Sequence, residues 1–423
     1  MITSYEAQCR RRSAAGKECM QKTIEKLEGK KILIWGYGRE GKSTEKFIKE
    51  YCRPALVDVL EGTREEVRDE AYDIIIVSPG ICFEEDAPAF DNRKFTSQTE
   101  LFLEEYGAQT VGITGTKGKS TTSSMLYQVL AACSGHKTFL MGNIGKPCWD
   151  YLPEMTEDSL AVFELSCHQC QRLQAAPHTA VFLDLYEDHL DRYHEMQHYF
   201  EAKCGITRCQ GEGDFLFVGE NVPDIATKAV KHVITLSPDE HFDLRVPGMH
   251  NQLNAKFVRE IASRVFGCSD AQIREALKGF CGLPHRLENC GCIDGIDYYD
   301  DSISTIPEAA IRAATSVANA KTLLIGGMDR GIEYDILVDF ISQHPEYQFI
   351  LAYASGKRIL ESVKDCPNVH YVEDLAAQVR LAREITPKGG AVIMSNAAAS
   401  YGYFKNFEER GDVFQRLIRE NAT

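Results

Sequence analysis

Short apolar runs recur along the chain, each followed by a polar or glycine-rich turn and a longer stretch of helical character. KILIW (31–35), ALVDV (55–59) and DIIIVSPG (73–80) form a first group. Runs of this length bounded by turn residues predict buried strands. The first glycine-rich turn predicts a helix from about Ser43. A second group opens near Ala108 with QTVGIT, continues through a helix in SSMLYQVLAA, and contains LAVFEL (160–165) and TAVFLDLY (179–186). It closes on a helical segment over 250–266. A third group starts at the turn GLPHR (282–286) and holds KTLLIGG (321–327), QFILAY (348–353) and AVIMS (391–395). Strands alternating with helices predict parallel sheets covered on both faces, so the fold class is α/β. Three domains are expected, at 1–107, 108–282 and 283–423, with residues 1–29 as a polar, helical extension.

The length of 423 residues suits two to three domains. Forty-seven basic against 62 acidic residues give a net charge of −15, which argues against a general binder of nucleic acid or anionic membrane. An anionic substrate then needs local devices: backbone amides, a few cations, or metal. No apolar run reaches the roughly 18 residues of a membrane span. The N-terminus carries charge but no apolar secretory core, so a cytoplasmic protein is expected. Fifteen cysteines, an odd number often set in apolar stretches such as those of Cys133 and Cys281, read as reduced thiols used as small hydrophobes. The Cys167-x-x-Cys170 pair has no second pair at zinc-ribbon spacing.

Two glycine loops carry the candidate chemistry. Gly36-Tyr37-Gly38-Arg39-Glu40-Gly41 follows a strand and opens a helix, and Asp58 stands 22 residues after Gly36. This is the dinucleotide fingerprint in its proper setting: the glycines let the backbone approach a phosphate at a helix N-terminus. Taken alone it fits a nicotinamide dinucleotide, another nucleotide diphosphate, or a strand–helix turn that needs glycine for packing. The second loop, Gly112-Ile-Thr-Gly115-Thr116-Lys117-Gly118-Lys119-Ser120-Thr121, ends like a phosphate-binding loop, although Ile113 breaks the strict spacing. Its amides make an anion nest, Lys119 can neutralise the β- and γ-phosphates, and Ser120 or Thr121 can ligate Mg2+.

The stretch TGTKGKST resembles the ATP loop of the Mur ligases and folylpolyglutamate synthetases. Further matches follow in order: Gly142-Asn143-Ile144-Gly145, Glu164-Leu165-Ser166, Tyr186 to Tyr193 around His189, Lys203, His250-Asn251-x-x-Asn254, and Gly282 to Arg286. Asp301-Ser302, Gly326 to Gly331 and Phe404 to Gly411 complete the series, so the resemblance runs from about residue 31 to the end. It is greatest to the glutamate-adding members of the Mur ligase family.

The resemblance implies a Rossmann-like first domain, a central domain like the phosphate-loop ATPases, and a Rossmann-like third domain. It implies ATP-driven addition of D-glutamate to UDP-N-acetylmuramoyl-L-alanine through an acyl phosphate, in peptidoglycan precursor synthesis, by a monomer. Relatives that add L-glutamate, or another amide ligase of the superfamily, are the alternatives. The first loop then holds the UDP part of the substrate, with Gly36, Gly38, Arg39, Asp58, Ser78, Pro79, Gly80, Asn143 and His189 on that side. ATP falls to Gly115, Thr116, Lys117, Gly118, Lys119, Ser120 and Thr121, with Asn251 and Asn254 near the adenine and Arg286 and Asp301 reaching the nucleotide. Asn251 equally suits a helix N-cap. Lys119, His189 and Lys203 are the catalytic expectation. Two Mg2+ ions are implied, one on Glu164 with Ser120 or Thr121, one on His189 and Lys203, the latter as a CO2-derived carbamate. Thr305, Arg330, Ser400 and Phe407 are implied for the amino acid. Where the family often reads D-S-K-A-T-N, this chain reads Asp301-Ser302-Ile303-Ser304-Thr305-Ile306. Closure of the third domain is expected to complete the site and exclude water.

Overall fold

The computed structural model describes residues 20–81, 94–246, 248–278 and 280–420. Most of the N-terminal extension, residues 1–19, lies outside them; its last part is the helix Gln21–Leu27. Three sheets organise the chain. The first has the order β2-β1-β3-β4, from β1 (Lys31–Trp35), β2 (Leu56–Leu60), β3 (Ile74–Val77) and β4 (Phe95–Thr96), all parallel. The helix after its glycine loop spans Arg39–Tyr51, starting four residues before the expected Ser43. Gly38 is its N-cap, so the helix begins inside the fingerprint itself.

The second sheet runs β10-β9-β8-β5-β7-β6. Its members are β5 (Thr110–Thr114), β6 (Thr138–Gly142), β7 (Leu160–Glu164), β8 (Thr179–Phe182), β9 (Phe215–Gly219) and β10 (Val230–Ile234). All its pairings are parallel. β5 is central and wholly buried, as its unbroken TVGIT run predicts. The third sheet runs β11-β12-β16-β13-β14-β15, from β11 (Glu288–Ile293), β12 (Ile296–Asp300), β13 (Ala320–Ile325), β14 (Gln348–Leu351), β15 (Val369–Tyr371) and β16 (Ala391–Met394). Only the β11–β12 hairpin is antiparallel.

The chain divides into two compact units, residues 1–279 and 280–423. The division stands beside the expected cut at 282. The expected cut at 107 is no break in packing. One continuous core runs from Ile32, Ile34 and Phe47 of the first sheet's layer to Phe139, Met141 and Phe163 of the second. Phe47 meets Trp149 at 4.5 Å between ring centroids, and Phe102 meets Phe163 edge-on at 5.4 Å. Burying such rings against each other welds the two layers. No helix among the described residues is long and apolar enough to cross a membrane.

Candidate active site

In an open parallel sheet, ligands gather at the carboxyl ends of the strands where the connections diverge. β5 lies between β7 and β8, and the carboxyl ends of these three strands carry the Gly115 loop, Glu164 and Asp184. The loop Gly115–Gly118 leads into the helix Lys119–Cys133. Gly118 is the N-cap, left-handed at φ +76°, and a Cβ there would stand 2.8 Å from Asn254 Oδ1. Only glycine combines that backbone with that closeness.

Two ammonium groups converge on one carbonyl. Lys119 Nζ donates to Gly115 O and Thr116 O at 3.0 Å each, and Lys203 Nζ donates to Gly115 O at 2.6 Å. Lys203, from the helix Met196–Cys204, is buried, and its Nζ lies 4.6 Å from the centre of the Tyr199 ring. Burial, and then the neighbouring Lys119 cation, bring its ammonium down to about 8. The amides of Thr116 and Lys117 donate to Asp184 Oδ1 at 2.7 and 2.8 Å. Thus the loop's nest already holds an anion, supplied by the protein.

Ser120 and Thr121 are half-buried in the helix's first turn. Asn251 and Asn254 are buried on the helix Met249–Phe266, and Asn254 reaches Gly118. The N-cap alternative for Asn251 does not hold: Gly248 occupies that position, and Asn251 is the third residue of the helix. Glu164 is buried, accepts from Asn143 Nδ2 at 2.9 Å through Oε1, and leaves Oε2 buried with no partner among the described residues. An orphaned carboxylate oxygen beside the phosphate loop suits a divalent cation. His189 is exposed, in the left-handed region at φ +53°, with its ring 5.3 Å from His168 and 5.9 Å from Tyr199.

The first loop opens onto a cavity of about 600 Å³. Gly36, Gly38, Arg39, Ser78, Pro79, Gly80 and Asn143 line it, together with Glu40, Glu61, Ser166 and Gln169. Ser78 Oγ donates to Gly36 O at 2.8 Å, and a Cβ on Gly36 would lie 2.8 Å from Ser78 Cβ, so the turn is held tight. His189 is not among the lining residues, and neither is Asp58. Asp58 sits within β2, which runs on to Leu60, and accepts from Tyr72 OH at 2.8 Å. The strand carries two residues beyond the aspartate, so from this segment it is Glu61 that arrives at the cavity.

Residues 280–423 form their own cluster. Asp301 is buried, accepting from Leu287 N at 3.0 Å and Ser395 Oγ at 2.6 Å. Burial pushes its carboxyl up to about 6, although those bonds and Arg286 pull the other way. Arg286 and Arg330 are exposed, Thr305 and Phe407 half-buried, and Ser400 buried. Arg410, fully buried, donates to Ser302 Oγ, Ser302 O and Ala398 O at 3.0, 2.7 and 3.0 Å. Ser302 Oγ in turn donates to Phe407 O at 2.7 Å. One guanidinium therefore ties together the loops that carry Thr305, Ser400 and Phe407. His285, Glu288 and Asp300 also cluster, but Gln415 Nε2 donates to both carboxylates and His285 Nδ1 lies 2.7 Å from Asp300, so the group satisfies itself.

Sequence reasoning missed Asp184, Glu40, Gln169 and Tyr199. Asp184 was findable, since it lies two residues past the end of the strand next to the phosphate-loop strand. Gln169 is the fourth residue of a Ser166-x-x-Gln169 capping box, visible as a spacing. Tyr199 carried no signal of its own.

Residues 113–258 match the Mur ligase middle domain. Over 93% of its length the chain is 31% identical to the UDP-N-acetylmuramoylalanine–D-glutamate ligase of Citrifermentans bemidjiense, covering 98% of that protein. It is 33% identical, over 94% of its length, to the UDP-N-acetylmuramoyl-L-alanine–L-glutamate ligase of Salinispora tropica, covering 99% of it. The fold is similar to the crystal structure of the UDP-N-acetylmuramate–alanine ligase of Thermotoga maritima, with TM-score 0.55 and 18% identity, covering 92% of this chain and 98% of that one. With two glycine loops, an acidic strand end and relatives aligned over nearly their whole length, the chain belongs to the Mur ligase family.

Proposed function

We propose that the protein is an ATP-dependent ligase that joins D-glutamate to UDP-N-acetylmuramoyl-L-alanine through an acyl phosphate, a cytoplasmic step in peptidoglycan precursor synthesis. The observation that carries this reading is Asn143. It lines the cavity beside the first glycine loop and donates to Glu164, which is paired with Ile113 next to the phosphate loop. A cavity suited to a nucleotide sugar and a loop suited to ATP are thus linked by one amide–carboxylate contact.

Phosphoryl transfer between two anions needs fixed positive charge that is already in place. Lys119 and the loop amides supply it on the ATP side. Their present partners, two carbonyls and the Asp184 carboxylate, are what phosphate oxygens would replace. Mg2+ would be held by Glu164 with Ser120 or Thr121, and a second ion by His189 with a carbamate on Lys203, and such ions would supply charge neutralisation for the phosphoryl oxygens. Lys203 favours that modification because only a neutral amine adds CO2, and an amine at about 8 is neutral for roughly a tenth of the time at pH 7. Asn251, Asn254, Arg286 and Asp301 are assigned to the nucleotide, and Thr305, Arg330, Ser400 and Phe407 to the amino acid.

The test is phosphate release with UDP-N-acetylmuramoyl-L-alanine, ATP and Mg2+, against D-glutamate, L-glutamate, D-aspartate, meso-diaminopimelate and L-lysine in turn. D-glutamate alone should support turnover. The second reading, L-glutamate, is favoured by the Salinispora tropica relative. Turnover only with L-glutamate would reverse the stereochemistry and leave the mechanism standing. Turnover only with a diamino acid would refute the assignment.

A further inference from the structure

Glu40 is an odd residue to find in an anion-binding loop. It stands in the first turn of the helix Arg39–Tyr51, between the second and third glycines of the fingerprint, and lines the cavity. Oε1 accepts from Gln169 Nε2 at 2.8 Å, across the seam between the first two sheets. Oε2 is buried and has no partner among the described residues. An ionised carboxylate so placed would be half-satisfied, with its second oxygen shielded from water, and next to the diphosphate that the cavity is proposed to take. All three circumstances favour the neutral acid.

The surroundings do little to oppose this. Among the described residues, Arg39, on the same helix, is the cation that draws Glu40 toward ionisation. From the turn Cys148–Asp150, the Cys148 thiol is itself pushed well up by burial and by Glu40, and Asp150 is taken by Ser43 Oγ at 2.8 Å. The helix Gln98–Tyr106 presents Gln98, whose Nε2 reaches Glu40 O, while its Glu100 accepts from Gln174 N and Ala175 N. The helix Cys167–Cys170 presents Gln169, with His168 packed on Tyr193 and His189. Glu61, on the cavity wall, adds a second negative charge. Burial thus dominates and lifts Glu40 to about 7, inside the working range of a cell.

We propose that Glu40 makes binding in this cavity proton-coupled: the carboxyl carries a proton whenever an anionic nucleotide diphosphate is bound, so that ligand entry draws a proton from solution. The idea rests on the proposed function only for the nature of the ligand. Affinity should then fall as pH rises, because the competent, protonated form becomes scarce. With one such group near 7, the dissociation constant rises about tenfold between pH 6 and pH 8. At pH 7.5 binding takes up roughly three quarters of a proton.

Isothermal titration of the full chain with UDP-N-acetylmuramoyl-L-alanine tests it, in buffers of different ionisation enthalpy from pH 6 to 8.5. The ligand's carboxylate and diphosphate diester stay ionised throughout, so they add no slope. Glu40→Gln keeps an acceptor for Gln169 and a neutral donor at the second position. It should bind with a flat pH profile, without proton uptake, and about tenfold tighter than the unaltered protein at pH 8. Glu40→Ser, shorter and neutral, should be equally flat, which separates charge from shape. A pH-independent affinity in the unaltered protein would overturn the proposal, as would proton uptake that survives in Glu40→Gln. An affinity that rises with pH and collapses in Glu40→Gln would make the carboxylate an acceptor, and also overturn it. Binding in neither protein at any pH would remove the cavity assignment itself, and the proposal with it.

Discussion

Lys119 and Lys203 share a carbonyl, yet only one announced itself in the sequence. Lys119 follows a glycine in a loop, where a lysine has no packing role. Lys203 is a buried helix residue with nothing unusual around it except its family spacing from His189. Removing Lys119 should cost the most. Lys119→Ala is expected to lose about 10³-fold in turnover, on the order of 4 kcal/mol in the barrier, with phosphate release as the measurement. Retention of more than a tenth of the rate would remove Lys119 from the phosphate side. Asp301 gives a prediction about stability. Its carboxyl is higher when folded, about 6 against an ordinary 3.8, so its favourable contribution is full below pH 4 and lost as pH rises through 6. Asp301→Asn should therefore gain up to roughly 2–3 kcal/mol above pH 6, and nothing near pH 4, while ligation fails. Denaturant melts at pH 4 and pH 7.5 would show it; an equal effect at both values would mean the change has nothing to do with ionisation.

At the scale of elements, the strands legible in the sequence were mostly buried ones; β2 was read too, but the burial expected of it fails, because it is a sheet edge with Leu56 and Val59 exposed. β1, β5, β7, β8 and β16 read as plain apolar runs because both of their faces are covered. β10 and β11 were not legible: they lie at sheet edges, with mostly exposed or half-buried residues. β6, TFLMG, was also missed, although it is as long as β5 and only its first and third residues are less than buried. The start of the helix Lys119–Cys133 depends on one residue. Gly118→Ala would place a side chain in left-handed backbone and against Asn254, costing at least ~1–2 kcal/mol. The expected readouts are a lowered melting temperature and at least a tenfold rise in KM for ATP, with little change in KM for glutamate. A rise shared by both substrates would point to general unfolding instead.

For the whole molecule, the cores make the prediction. Residues 280–423 have their own sheet and their own buried clusters, so this fragment should melt cooperatively when expressed alone. Residues 1–107 should not, because Phe47 and Phe102 would lose Trp149 and Phe163 and expose a large apolar face. Calorimetry of the two fragments distinguishes these outcomes. A sharp transition in 1–107 would mean that the shared core contributes little.

The sequence by itself determined the class of fold, both glycine loops and most residues around them. Periodicity and glycine are local properties, and a strand–loop–helix unit holds its own phosphate-binding geometry. Only the tertiary structure decided which residues from distant segments meet. It brought Glu40 to Gln169 and Asn143 to Glu164, set Asp184 on the loop amides, and put Glu61 rather than Asp58 at the cavity. The physical reason is that strand length, sheet order and a core shared between layers fix those meetings. None of these is a property of any one stretch of chain.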